Sequence, residues 1–526
     1  MAAKRAILLA AGIGKRMAPL TYELPKALLN VRGEVLIERM IRQLADAGVA
    51  DITVVLGYMK ESLFDLEEEF GVEIRVNPDY AETGSASSLF IARDKLADAW
   101  VCSTDQYFAE NLFANAGDAS SCTLVEREPA RGELCAELDG TGFVSALSLR
   151  SEGALTLQGP AFFDAETGAR FAQILETAHE LPAFSTQLWD DVYAAHTDEI
   201  RLRGRIVPAS AVREFKSFNA LVEFDRDFAE NVDLSILDNI CATLGCERRD
   251  VTNVIPIKQG LTNLSFRFDC KGATYVYRHP GAGTDEIINR AAETRALEIA
   301  RELGLDATFV YEDAQEGWKL SRYIDGCEPF DYGNLDHVKR AFELARRLHE
   351  SGEVSPWSFD YLAEGQKIAG ILRGMHYPLP KDFDALAQRI AQLAVHMAAD
   401  GGEPVLCHND FYGPNLLVRG DDMWLIDWEY SAMGDYACDI GNFVAQGSNY
   451  TVEETLEALP LYYGREASAE EQRHCLAAVA LVGWYWYVWA IYKGAKGNPV
   501  GEWLYIWYKA ARTYCKAAEA LYEEDV

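Results

Sequence analysis

The sequence has no CxxC pair and no local cluster of Cys and His, although eleven cysteines are scattered along its 526 residues. An odd, unpatterned set of this kind excludes a disulfide framework and a zinc site of sequence-local spacing. It implies reduced thiols and hence a cytoplasmic protein. Positive charge is also scarce. Forty-nine Lys and Arg against eighty-two Asp and Glu leave a formal charge of -33, which argues against a surface that grips nucleic acid or anionic lipid. A local phosphate pocket stays open to it. No internal repeat or low-complexity tract is present. Cys475 to Tyr492 runs for eighteen residues without Asp, Glu, Lys or Arg and contains WYWYVW, at the short edge of what crosses a bilayer. The start, MAAKRAILLAAGIG, imitates a signal peptide, but its short apolar run passes straight into Lys15-Arg16. A buried first strand followed by a glycine loop is the expected reading.

What is present is length for two or more cores. Between residues 4 and 110, apolar runs (AILLAAG, DITVVLG, VEIRV, WVCSTD) alternate with amphipathic stretches such as LIERMIRQLADAG and SLFIARDKLAD. That alternation predicts an α/β, doubly wound, mostly parallel sheet with ligands at the carboxyl ends of its strands. From about 120 to 225 the pattern becomes shorter and more strand-like, so a first domain over 1–228 is expected. The charged segment DRDFAENVDL ends it. A second domain over 235–526 follows. Its strand-rich part, 235–325, precedes a part of helical periodicity, 326–526, which is the outline of a bilobal, protein-kinase-like α+β domain.

Leu9 to Lys26 reads LAAGIGKRMAPLTYELPK. Glycines after a buried strand let backbone N–H groups approach phosphates, and Lys15, Arg16 and Lys26 bring positive charge to them. Together with TGSASSL (Thr83 to Leu89) and Asp105 at a strand end, the combination resembles the sugar-phosphate and phosphocholine nucleotidyltransferases over residues 4–225. The resemblance implies a Rossmann-like fold in which Ala10, Ala11, Gly12, Gly14 and Lys15 hold the nucleotide, with Gly84 and Ser85 at the base and ribose. Arg16 and Lys26 are then catalytic, offsetting charge on the attacked α-phosphate. Asp105 is the implied Mg2+ carboxylate. For a second metal carboxylate the family's Glu-x-Asp reads here Glu214-Phe215-Lys216, which nominates Glu214, with Asp190 or Asp191 as alternatives. The phosphocholine subfamily is the nearest in GYMKESLFDL, SSLFIA and QLWDDVY. Its members place a Trp after the Glu of the segment that here reads GELCAEL, where Leu134 follows Glu133. Fewer aromatic walls weaken cation-π recognition of a quaternary ammonium, so phosphoethanolamine and 2-aminoethylphosphonate stay open as acceptors beside phosphocholine. Trp189, Asp190 and Tyr193 are the candidate acceptor-binding residues.

A second constellation is VLCHNDFYGPNLLV followed by MWLIDWEY, which sets Asp410 and Asn415 five apart and Asp427 twelve further on. Phosphoryl transfer needs a carboxylate to orient the attacking hydroxyl and further oxygen ligands for Mg2+ on the nucleotide. The pattern resembles the choline kinase and aminoglycoside phosphotransferase superfamily. That resemblance makes Asp410 the base and Asn415 and Asp427 the Mg2+ ligands. Gln259 to Phe268, with Gly260, Thr262 and Asn263, becomes the loop over the ATP phosphates, and Arg278 paired with Glu293 a nucleotide clamp. Trp486 and Trp489 share a helical face and would wall a choline pocket, with Trp503, Tyr508 and the carboxylate of Glu429. The expectation is a bifunctional, cytoplasmic enzyme using ATP and CTP with Mg2+, without membrane insertion.

Overall fold

The computed structural model describes residues 4–114, 119–127, 133–149, 155–257, 264–281 and 289–524. They divide into two compact units. The first takes residues up to 257 together with 265–273, and the second takes 264 and everything from 274 on. The first unit therefore runs past residue 228, where composition placed its end.

The first unit is built on the strand Arg5–Ala10, which pairs in parallel with Asp51–Leu56 on one side and Ala99–Ser103 on the other; Glu73–Val76 lies beyond Asp51–Leu56. These strands are continuous apolar runs because both faces of the sheet are covered. One face packs Leu8, Val54 and Cys102 against Met40 and Phe108; the other packs Ile7, Val55 and Val101 against Leu89 and Phe171. Beyond Ala99–Ser103 the sheet turns antiparallel through Leu155–Phe163 and Leu134–Leu138, matching the shift in pattern after residue 120. The register sets Leu9 beside Ser103, so the glycine loop and Asp105 emerge at the same sheet edge. A short antiparallel pair, Gln106–Phe108 with Val212–Glu214, puts Glu214 opposite Gln106.

The same unit continues through the helix Ser235–Leu244 and the antiparallel pair that Thr252–Ile257 makes with residues 265–269 of strand Leu264–Cys270. Asn219 ties the pair down: its Nδ2 donates to the Val254 carbonyl and its Oδ1 accepts from the Val254 amide, both at 3.0 Å.

In the second unit, residues 275–278 of strand Ala273–His279 pair with Lys319–Arg322, which pairs with Phe309–Glu312. Helices dominate the rest, and their core gathers on Ala469–Ala495. That helix is apolar and long enough to cross a membrane, but 94% of its apolar window is buried within the protein. It is continuous around its circumference in apolar and aromatic residues because helices Tyr361–Gly374, Phe383–Asp400, Ala437–Phe443 and Trp503–Glu524 all pack on it.

Candidate active sites

The first site is a cavity of about 340 Å³ at the carboxyl ends of the central strands, lined by Ala10, Ala11, Gly12, Arg16, Lys26, Gly84, Ser85, Asp105, Gln158, Trp189, Asp190 and Glu214, among others. Lys26 Nζ donates to Asp105 Oδ2 at 2.8 Å. Gly14 has φ +70°, and a Cβ there would come 2.3 Å from Lys26 Cε, so only glycine lets the lysine lie across the loop. Gly84 is equally constrained, since a Cβ would meet the Gln187 carbonyl oxygen at 2.1 Å. Lys15 is exposed and does not line the cavity.

Asp105 and Glu214 meet here. Burial raises the Glu214 carboxyl, and the Asp105 charge raises it further. Gln158 Nε2 donates to Glu214 at 3.0 Å, and Lys216 Nζ lies 3.4 Å from Glu214 and 2.7 Å from Glu133. Glu133, 9% exposed, also pairs with Arg127 at 2.8 Å. The cluster of Lys216, Glu133 and Arg127 escapes sequence reading because its members lie up to ninety residues apart. Asp190 lines the cavity, and burial followed by the charge of Asp191 pushes its carboxyl up to about 6. Asp191 itself serves locally, accepting from the Leu188 amide at 2.9 Å.

The two aromatic candidates sit differently from one another. Tyr193 is fully buried in the core and does not line the cavity. The Trp189 ring packs edge-on to Phe163, with only 7% of the residue exposed. Trp189 nevertheless lines the cavity, whereas Tyr193 lies on the face of the short helix Trp189–Ala194 that covers the sheet.

The second site assembles on the loop after strand Val405–Cys407. Asn415 Nδ2 donates to Asp410 Oδ2 at 3.0 Å, and the Ile426 amide donates to the Asn415 carbonyl at 2.9 Å, bringing Asp427 beside them. Asn409 and Asp427 both have positive φ, 62° and 70°, the strained backbone that clusters at functional sites. Asp439 over-determines it. The carboxylate accepts from the His408 and Asn409 amides at 2.8 and 2.7 Å and from His349 Nε2 at 2.9 Å. Burial pushes Asp410 up to about 7, against the hydrogen bond from Gln446 Nε2 at 2.8 Å.

Arg278 and Glu293 pair at 2.7 Å, but in a larger buried cluster. Arg278 also reaches Glu312 at 2.9 Å and Glu429 at 2.6 Å, and Lys319 Nζ lies 3.1 Å from Glu293. Glu429, expected to face a substrate ammonium, is here a partner of Arg278. Gly260, Thr262 and Asn263 lie outside the described residues.

Trp486 and Trp489 meet edge-on at 5.5 Å between ring centroids, and Trp486 meets Tyr430 edge-on at 5.6 Å. Trp507 stacks on Trp486 at 5.7 Å and on Trp503 at 5.4 Å. Tyr508 is turned away from this group, against Tyr487, and its hydroxyl donates to Asp382 at 2.5 Å. Trp507, one residue back, joins the ring group instead, since successive residues on a helix point about 100° apart. An amide relay joins the rings to the site: Trp486 Nε1 donates to Asn442 Oδ1 at 2.8 Å, and Gln446 Nε2 bridges Asn442 Oδ1 and Asp410 Oδ1 at 3.0 and 2.8 Å. Asp439, Asn442 and Gln446 are polar residues at i, i+3 and i+7 in an apolar run. That spacing is the signal that would have found them.

Residues 6–148 match the MobA-like NTP transferase domain and residues 253–477 match the Phosphotransferase enzyme family. Over 213 residues the chain is 30% identical to the choline-phosphate cytidylyltransferase of Streptococcus pneumoniae, across 40% of this chain and 93% of that one. Over 227 residues it is 31% identical to the 2-aminoethylphosphonate cytidylyltransferase of Lancefieldella rimae, across 42% and 92%. The chain belongs to the cytidylyltransferase family, fused to a kinase-like half. A solved choline/ethanolamine kinase family protein of Mesorhizobium loti is 27% identical and covers 54% of this chain and 94% of its own, with a TM-score of 0.44.

Both halves offer donor sets that suit a hard divalent cation, which takes oxygen ligands. In the cytidylyltransferase half the mutual repulsion of Asp105 and Glu214 marks a place where positive charge is stabilising. In the kinase-like half Asp410, Asn415 and Asp427 come together, whereas the carboxylates of Glu293 and Glu429 are already taken by Arg278.

Proposed function

We propose that the chain is a bifunctional, cytoplasmic enzyme whose kinase-like half phosphorylates choline with ATP and whose cytidylyltransferase half joins phosphocholine to CMP from CTP, releasing pyrophosphate. The observation that carries the reading is that two separate sets of phosphoryl-transfer groups, Lys26 with Asp105 and Glu214, and Asp410 with Asn415 and Asp427, each converge in space. Mg2+ held by Asp105 and Glu214 in one half, and by Asn415 and Asp427 in the other, would neutralise nucleotide phosphates. Asp410 accepts the proton of the substrate hydroxyl, and Gln446 and Asn415 aim its two oxygens. Lys26 and Arg16 meet the charge that gathers on the α-phosphate oxygens during displacement. The indoles of Trp486 and Trp489 supply negative π faces for a quaternary ammonium.

A second reading concerns the acceptor of the cytidylyltransferase half. Tyr193 is buried in the core and the Trp189 ring, though it borders the cavity, is only 7% exposed, whereas the carboxyl of Asp190 lines the cavity. A primary ammonium, which donates hydrogen bonds, suits a carboxylate better than a ring-poor cavity suits a trimethylammonium. Phosphoethanolamine and 2-aminoethylphosphonate are thus the competing acceptors. Pyrophosphate release from CTP, compared across the three acceptors at equal enzyme, decides between them. No release with any acceptor overturns the cytidylyltransferase assignment.

A further inference from the structure

The loop that carries Lys26 is held from two sides. On its own sheet, Thr21 Oγ1 donates to the Gly14 carbonyl at 3.1 Å, and the Tyr58 hydroxyl donates to the Thr21 carbonyl at 2.6 Å. The other side is supplied by residues beyond 228. The carboxylate of Glu23 accepts three hydrogen bonds from the first turn of helix Ser235–Leu244: from the Ser235 amide at 2.9 Å, the Ser235 hydroxyl at 2.7 Å and the Ile236 amide at 3.0 Å. One residue earlier, the Tyr22 hydroxyl donates to the Ser265 carbonyl at 3.1 Å and its ring lies 6.1 Å from Phe266. All of these residues belong to the first compact unit.

Charge explains why Glu23 holds the helix. The first amides of a helix have no partner within it, and the helix dipole adds positive potential there. A half-buried carboxylate satisfies both. Only Leu24 and Pro25 separate Glu23 from Lys26, and proline at 25 removes one soft dihedral from that tether. The helix lies outside both matched stretches, 6–148 and 253–477, so neither family's pattern accounts for it.

We infer that Glu23 is a positioning residue for cytidylyl transfer: by binding the start of helix Ser235–Leu244 it fixes the segment that presents the Lys26 ammonium to the α-phosphate. The segment after residue 228 is then a working part of this half. The inference rests on the assignment of Lys26 made above. Its consequence is a loss in the chemical step, because a displaced Lys26 weakens an interaction made in the transition state while nucleotide binding by the glycine loop persists.

The test uses the full-length protein. Glu23→Ala is expected to lower kcat for pyrophosphate release about tenfold, with KM for CTP changed less than about twofold. ATP-dependent phosphorylation is expected to be unchanged. Glu23→Gln, which keeps one acceptor oxygen, is expected to fall between Glu23→Ala and the unsubstituted protein, and it serves if the alanine variant folds poorly. In a Lys26→Ala background, Glu23→Ala is expected to add no further loss, since the two act as one unit. An unchanged kcat in both Glu23 variants, or an equal loss with Lys26 already removed, overturns the inference. Absence of transfer by the unsubstituted protein would instead overturn the functional assignment, so the two failures are distinct.

Discussion

The two sites solve phosphate chemistry with opposite surroundings. The cytidylyltransferase cavity is edged mainly by carboxylates and amides, with Asp105, Glu214, Asp190 and Gln158 around it, and its rings, Tyr80 and Trp189, form no stack. The kinase-like site backs onto clustered indoles, Trp486 stacked on Trp507 with Trp489 edge-on to both, joined to Asp410 through Asn442 and Gln446. The first environment offers charge and hydrogen bonding, the second offers π faces. They differ in what they tolerate: carboxylates favour N–H donors, and indoles favour methylated ammonium. If both halves handle the same head group, this difference limits which one passes through both.

The comparison breaks most cleanly by removing one chemistry at a time. Asp410→Asn is expected to lower ATP-dependent phosphorylation by about a thousandfold and leave pyrophosphate release from CTP intact. Lys26→Ala is expected to do the reverse by about a hundredfold or more. Parallel assays of both activities in each variant check this, and a loss of both in either variant contradicts the independence of the two sites.

A smaller effect tests the aromatic side. Trp489→Phe keeps a ring but weakens its face, and should raise KM for choline about three- to tenfold with little change in KM for ATP. Smaller ligands without methyl groups should discriminate less between the two proteins. On the opposite side, Leu134→Trp should raise kcat/KM for phosphocholine relative to phosphoethanolamine by about tenfold, measured by competition between the two acceptors. A ratio that does not move would show that Leu134 is not at the head-group end of the cavity.

The smallest effect is on stability. Burial alone would lower the pKa of His474, but the hydrogen bonds and charges of Asp435 at 2.8 Å and Asp400 at 3.3 Å raise it above its ordinary value. A raised folded pKa means stability that is full below the unfolded value, about 6.5, and is lost as pH rises through the folded one. His474→Gln should therefore lower Tm by a few degrees at pH 5.5 and by less at pH 9, read by calorimetry.

Much of the fold was legible in the order of residues. The run AILLAAG followed by GIGK specifies a buried strand ending in a glycine loop, and His408, Asn409, Asp410, Asn415 and Asp427 lie close enough in sequence for local backbone to bring them together. Trp486 and Trp489 share a face by helical spacing alone. Less legible were groups joined only by folding. Glu214 reaches Asp105 through a three-residue strand pair, and Arg278 collects Glu293, Glu312 and Glu429 from separate elements. The pairing of Glu429 with Arg278 was not legible either, because sequence distance from Asp427 says nothing of which cation lies nearby.

Sequence by itself determined the two kinds of chemistry, because glycine loops, strand-end carboxylates and the Asp410–Asn415–Asp427 spacing are short-range requirements of phosphate and metal geometry. Tertiary structure alone decided which rings face a site and which fill a core, as with Tyr193 buried, Tyr508 turned to Asp382 and Trp507 in the stack. It also decided that the helix after residue 228 holds the Lys26 loop through Glu23. An aromatic ring or a carboxylate is chemically the same at either place. Its role depends on what packs against it, and that is set by contacts between residues far apart in the chain.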